Sequence, residues 1–175
     1  MELITHSHRH GEIILQEPQY KKIWKEVKSI IESISDDDLI EKHSSYNRIP
    51  MSLSKAINDT LKERFSNAGW NPESPIFQND IYQDNRWRLD FAKECISIEV
   101  AFNHGEAIAW NLIKPVLASE LNHVQKAIQT DIGIFICATK NLKEQGGFDS
   151  AVCEYEKVMT YLKPFNNFLT VPMVI

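Results

Sequence analysis

Two short runs of alternating polarity, separated by four residues near the middle of the chain, restrict the fold more than any other feature. From Trp87 to Phe91 the apolar side chains Trp87, Leu89 and Phe91 alternate with Arg86, Arg88 and Asp90. From Ile96 to Asn103, Ile96, Ile98, Val100 and Phe102 alternate with Ser97, Glu99, Ala101 and Asn103. Successive side chains of a strand point to opposite faces, so each run predicts a half-buried strand and the two are expected to lie side by side.

The remaining segments supply layers to cover such strands. Pro18 to Ser35 carries Ile23, Trp24, Val27, Ile30, Ile31 and Ile34 at helical spacing, with Lys21, Lys22, Lys25 and Lys28 between them. Asp36, Asp37 and Asp38 are expected to end that helix, and the polar stretch to about Arg48 to form an irregular loop. A second helix is predicted from about Leu53 to Ala68, with Gly69 as its cap, followed by loop between Asn71 and Asn85. A long helix is predicted from about Glu106 to Gln129, kinked at Pro115. Thr130 to Ala138 reads as a buried strand, Asp149 to Leu162 as a helix and Phe168 to Ile175 as a final strand. The implied fold class is α/β: a central mixed β-sheet flanked by α-helices on both sides.

With 175 residues, 43% hydrophobic and 25% charged, the chain suits one domain spanning residues 1–175. No apolar run approaches the roughly 20 residues of a membrane span, and Met-Glu-Leu-Ile-Thr-His has no signal-peptide pattern, so the expected location is the cytoplasm and no membrane partner is expected. Cys95, Cys137 and Cys153 are odd in number and suggest reduced packing residues rather than a disulfide framework or a cysteine zinc site. A net charge of -5 and a pI near 5.7 carry no global signature of nucleic-acid binding. A symmetric dimer can nevertheless gather Lys and Arg in one cleft while its outer surface stays acidic.

Asp90 and Glu99 are the candidate reactive pair. On neighbouring strands about 4.8 Å apart, two carboxylates on one face can share a cation, with the backbone carbonyl of Val100 as a third oxygen ligand. Mg²⁺ prefers such oxygen ligands, and it both acidifies a bound water and neutralises charge building on a phosphate. Asp-x8-Glu alone is a weak signal, because carboxylates on a solvated strand face are common.

The wider order of elements is more specific. Leu89-Asp90-Phe91 followed by Ile98-Glu99-Val100-Ala101-Phe102 resembles the PD-(D/E)XK nuclease motif, and in particular the BglII/BstYI group of type II restriction endonucleases. Ile23-Trp24-Lys25-Glu26, the Pro50 stretch leading into the Leu53 to Phe65 helix, Gly69-Trp70 and the long helix after Glu-Val-x-Phe extend the resemblance over nearly the whole chain. It implies a restriction-endonuclease-like core and a homodimer that cuts both strands of double-stranded DNA at a short palindrome. It also implies Mg²⁺ as cofactor, with 5′-phosphate and 3′-hydroxyl ends left behind. Asp90 and Glu99 carry over as catalytic metal ligands. One departure stands out: where such enzymes have Lys, and this group often Gln, the chain has Ala101. The missing role is dispensable, filled by water, or moved to Lys93, Asn103 or His104.

Several further residues are candidates. Arg86 and Arg88 share the alternation of Asp90 and suit phosphate contacts. Asn103 and His104 follow the second strand and either contact DNA or form a plain turn into the helix. Glu73 is a possible accessory carboxylate or an exposed loop residue. His6, His8 and His10 alternate and suit a transition metal only if that segment is extended. Two other functions compete with a restriction enzyme: a repair or structure-specific nuclease with the same core, and an inactive DNA-binding relative, the latter motivated by Ala101.

Overall fold

Six strands form one sheet in the computed structural model, which describes residues 1–102 and 105–175. They are β1 (Ser7–His8), β2 (Asn71–Pro75), β3 (Arg88–Lys93), β4 (Ile96–Ala101), β5 (Ile132–Cys137) and β6 (Met173–Val174), in the order β1-β6-β5-β4-β3-β2. The two alternating runs pair as an antiparallel hairpin with Phe91 opposite Ile98 and Lys93 opposite Ile96. Glu94 in the turn has φ 51°. On its other side β4 runs parallel to β5 over six pairs, from Ile96↔Ile132 to Ala101↔Cys137. The sheet is therefore mixed, as the sequence predicts.

The parallel pairing decides how β4 is buried. A parallel neighbour needs a crossover connection, and here the crossover carries helix α5 (Ile108–Ser119) back over the sheet. Both faces of β4 are covered as a result, and Glu99 is fully buried rather than on the open face of a half-buried strand. One face packs Phe91, Ile96, Ile98, Ile132, Ile134 and Val174 with α2 (Pro18–Glu32) and α4 (Ser54–Asn67), through Trp24, Val27, Ile57, Leu61 and Phe65. The opposite face packs Ala101, Phe135 and Met173 with Ile108 and Leu112 of α5 and Val158 and Leu162 of α7 (Tyr155–Phe165).

Four segments depart from the sequence reading. Asp36 does not end structure: Ser35 accepts a hydrogen bond from the Asp38 amide while the Asp38 carboxylate accepts one from the Ser35 amide. This capping box starts a further helix, α3 (Asp36–Ser44), whose three aspartates suit its N-terminus. Asn71–Pro75 is an edge strand, not loop; its two prolines disguise it, and an edge position tolerates them. The predicted helix to Gln129 stops at Ser119, because Glu120 is extended and the chain doubles back, with the Thr130 amide donating to the Ala118 carbonyl. Toward the C-terminus, α6 (Lys140–Gln145) is capped by Thr139, α7 begins at Tyr155 rather than Asp149, and β6 shrinks to two residues. Among the described residues, no helix is long and apolar enough to cross a membrane.

Candidate active site

The hairpin register brings the two carboxylates together. One step beyond Phe91↔Ile98, continuing the same register sets Asp90 opposite Glu99. The ladder is broken there by a side chain: the Val100 amide donates to Asp90 Oδ2 at 2.6 Å. Across β2, where Pro72 faces Phe91 and Ser74 faces Leu89, the matching position to Asp90 is Glu73. Glu73 has φ 49°, is exposed, and lies 3.5 Å from Lys62 of α4. Three carboxylates thus occupy one row across β2, β3 and β4.

Above Glu99 sits a residue absent from the sequence prediction. Lys114 of α5 donates from Nζ to Glu99 Oε2 at 2.6 Å, and both groups are buried. Glu99 Oε1 has no side-chain hydrogen-bond partner among the described residues, while the Asp90 backbone lies close to the carboxyl. Burial pushes the Glu99 carboxyl well above its ordinary range, and the nearby Asp90 charge adds to the shift; Lys114, by charge and hydrogen bond, opposes it. Asp90 is also raised, first by burial and further by Glu73, against the hydrogen bond from Val100 and the charges of Lys114 and Lys62. A buried and a half-buried carboxylate that repel one another, one of them with an oxygen that no described side chain contacts, form a site with net attraction for a cation.

That donor set suits a hard divalent cation. Among the described residues no group of three or more His, Cys, Asp and Glu side chains gathers into a metal cluster. Two carboxylates with a backbone carbonyl, the remainder left to water and substrate, is a pattern Mg²⁺ accepts.

The other candidates divide around this pair. Arg88 is on the Asp90 side of β3 and donates to the carbonyls of Glu73 at 3.1 Å and Gln83 at 3.2 Å, with its Nε left without a partner among the described residues. Arg86 lies before the strand in a single 3-10 turn, Asn85–Trp87, where its guanidinium pairs with Asp84 at 2.8 Å and is exposed. It does not share the Asp90 face as the alternation suggested. Lys93 lies on the opposite side of the sheet: it faces α2 and α4 and donates to Glu26 Oε1 at 2.8 Å and the Ala68 carbonyl at 2.7 Å. It cannot stand in for the head missing at Ala101. Ala101 is on the Glu99 face but is buried in the apolar cluster with Ile108, Leu112 and Phe135, so its side chain meets packing rather than an open cleft. Asn103 and His104 lie outside the described residues. The histidine triplet does not converge: His8 is buried with Nε2 2.8 Å from the Leu169 carbonyl, and His10 precedes α1 (Gly11–Ile14) with φ 62°.

Lys114 had a readable signal. It is the one charged residue in Ile108–Ser119, between Ile113 and Pro115. A lone charge in an otherwise apolar helix must reach water or find a partner.

Comparison with known proteins agrees with this architecture. The family model described as "Restriction endonuclease BglII/BglIII" matches residues 3–175. Among solved structures, restriction endonuclease BglII complexed with a DNA 16-mer superposes with a TM-score of 0.70 at 17% identity, covering 99% of this chain and 74% of that one. Free BglII superposes with a TM-score of 0.59 at 19% identity, covering 99% and 77%. No protein of curated function matches the chain significantly.

Proposed function

Because the chain belongs to the restriction endonuclease BglII/BglIII family, we propose that it hydrolyses phosphodiester bonds in double-stranded DNA at a short palindromic site, with Asp90, Glu99 and the Val100 carbonyl holding Mg²⁺. The observation that carries this reading is the opposed pair itself. Asp90 and Glu99 face one another across β3 and β4, Glu99 buried and Asp90 half-buried, with Glu99 Oε1 free of any side-chain partner among the described residues. Bound there, the cation supplies an acidified water and a counter-charge for the phosphate.

The protein's own groups do the positioning. The Val100 amide fixes Asp90 through Oδ2, and α5 closes over the sheet so that Glu99 is held in a dry setting where charge acts strongly. Arg88, anchored by two carbonyls beside Asp90, is the basic residue placed to meet a DNA phosphate; Arg86, freer and more exposed, is a peripheral contact at most. Two copies related by a two-fold axis cut the two strands of a palindrome. Attack of such a water on phosphorus with the 3′-oxygen as leaving group would leave 5′-phosphate and 3′-hydroxyl ends.

Digestion of plasmid DNA with Mg²⁺, followed by run-off sequencing of the products, tests the reading. Discrete fragments with one recurring end sequence support it, and structure-dependent or random cuts point to a repair nuclease. Asp90→Asn and Glu99→Gln should each abolish cutting while DNA affinity stays within about tenfold, because they remove metal charge rather than binding surface. Full cleavage by both variants would remove the proposed site. A monomeric mass in light scattering, with and without DNA, would remove the dimer. The alternative of an inactive DNA-binding relative draws on Ala101, and it predicts DNA binding with no cutting by the parent.

A further inference from the structure

We propose that Lys114 is the positioning cation of the active site, delivered from α5 onto Glu99 in place of a polar head on β4. The proposal rests on the cation site proposed at Asp90 and Glu99. Position 101, two residues beyond Glu99 on the same face, ends at a methyl group packed among Ile108, Leu112 and Phe135, and carries nothing that orients a carboxylate. Lys93, the nearest lysine in sequence, is engaged with Glu26 on the far side of the sheet. Lys114 alone among the described cations touches either carboxylate, at 2.6 Å from Glu99 Oε2.

The geometry of the contact is what assigns the role. One oxygen of Glu99 is taken by the ammonium, and the other has no side-chain hydrogen-bond partner among the described residues. A carboxylate held through one oxygen has its plane set, and the second oxygen is then presented in a defined direction. Close packing supports this arrangement: Pro115, the next residue of α5, sits over Gly133 of β5, where even a methyl group would come within 2.7 Å of the Pro115 Cβ. The helix therefore approaches the sheet closely beside the lysine, and the ammonium reaches Glu99 with little freedom to leave.

The ammonium also repels a cation bound to the same carboxylate. Lys114 should therefore weaken cation binding while making the bound state productive, and these two effects separate it from a residue that only supports the fold. The test measures Mn²⁺ affinity of the metal-free protein by calorimetry, together with the single-turnover Mg²⁺-dependent cleavage rate, for the parent, Lys114→Met, Lys114→Gln and Asp90→Asn. Lys114→Met is expected to bind Mn²⁺ at least about threefold more tightly and to cut at least about a hundredfold more slowly. Lys114→Gln keeps a hydrogen-bond donor for Oε2 and should retain part of the lost rate; it also serves if the methionine variant does not fold.

Tighter Mn²⁺ binding with an unchanged or faster rate would show the ammonium to be a placeholder that the cation displaces, overturning the proposal. Lower melting temperature in both lysine variants, with Mn²⁺ affinity and rate per folded molecule unchanged, would show a structural ion pair and overturn it equally. If instead Asp90→Asn binds Mn²⁺ and cuts like the parent, the underlying cation site is wrong and the proposal falls with it. That result differs from one in which Asp90→Asn is inert and the lysine variants are not.

Discussion

Gly133→Ala tests how closely α5 must lie on the sheet. The added Cβ would come within 2.7 Å of Pro115 Cβ and 2.9 Å of Met173 Cγ. Ordinary carbon contacts begin near 3.5 Å, so α5 has to retreat by roughly 0.8 Å. Transferred to its neighbour Lys114, that movement lengthens the 2.6 Å contact with Glu99 to about 3.4 Å, outside the range of a charge-assisted hydrogen bond. Overpacking of this kind costs about 1–3 kcal/mol. In a domain of this size each kcal/mol shifts the melting temperature by roughly 2–4 °C, giving a loss of about 2–12 °C. Thermal unfolding of parent and variant without divalent cation reads the stability term, and single-turnover cleavage at a temperature where both are folded reads the site. The variant should lose about tenfold or more in rate even when fully folded, since small misplacements at a reacting centre are costly. A melting temperature within 1–2 °C of the parent, or a large stability loss with the rate untouched, would refute the coupling between this packing contact and the carboxylate.

Ala101→Gln places a polar head in the apolar cluster beneath α5 and should lower stability by about 2–4 kcal/mol, from overpacking plus an unpaired buried amide; a stable variant that cuts faster than the parent would show open space there. Lys93→Met should leave DNA affinity and cleavage within about twofold but reduce stability by roughly 1 kcal/mol, as its partners Glu26 and Ala68 are structural; lost DNA binding in a filter assay would restore it to the DNA-contacting surface. Burial would raise the Glu26 carboxyl, but hydrogen bonds from Lys93 and Trp70 outweigh it and hold the group below its ordinary value. A lowered folded value means stability present above the unfolded carboxylate range and lost as pH falls through the folded value. Glu26→Gln should therefore destabilise the protein at neutral pH, with the difference from parent vanishing toward strongly acidic pH; a difference independent of pH in thermal melts would contradict this.

Much of the architecture followed from local pattern. Alternation over 87–91 and 96–103, with four residues between, is enough to define a hairpin, and a hairpin register places Asp90 against Glu99. Helical spacing marked α2 and α4 for the same reason, since a period of 3.6 or 2 is a property of neighbouring residues. Structure held by capping or by an edge was harder to see. Helix α3 depends on the Ser35–Asp38 box rather than on apolar periodicity, and β2 carries prolines that only an edge position admits. What tertiary structure alone decided was which residues meet from different layers. Alternation says that Lys93 lies opposite Asp90, but only packing shows it joined to Glu26; proximity in sequence offered Lys93, Asn103 or His104 for the role missing at Ala101, but the ammonium on Glu99 arrives from Lys114, 15 positions onward. Strand periodicity determines the face a side chain takes, whereas the group standing above that face depends on where a crossover helix lands. Here the landing is set by a glycine under a proline, Gly133 beneath Pro115, and the two lie far apart along the chain.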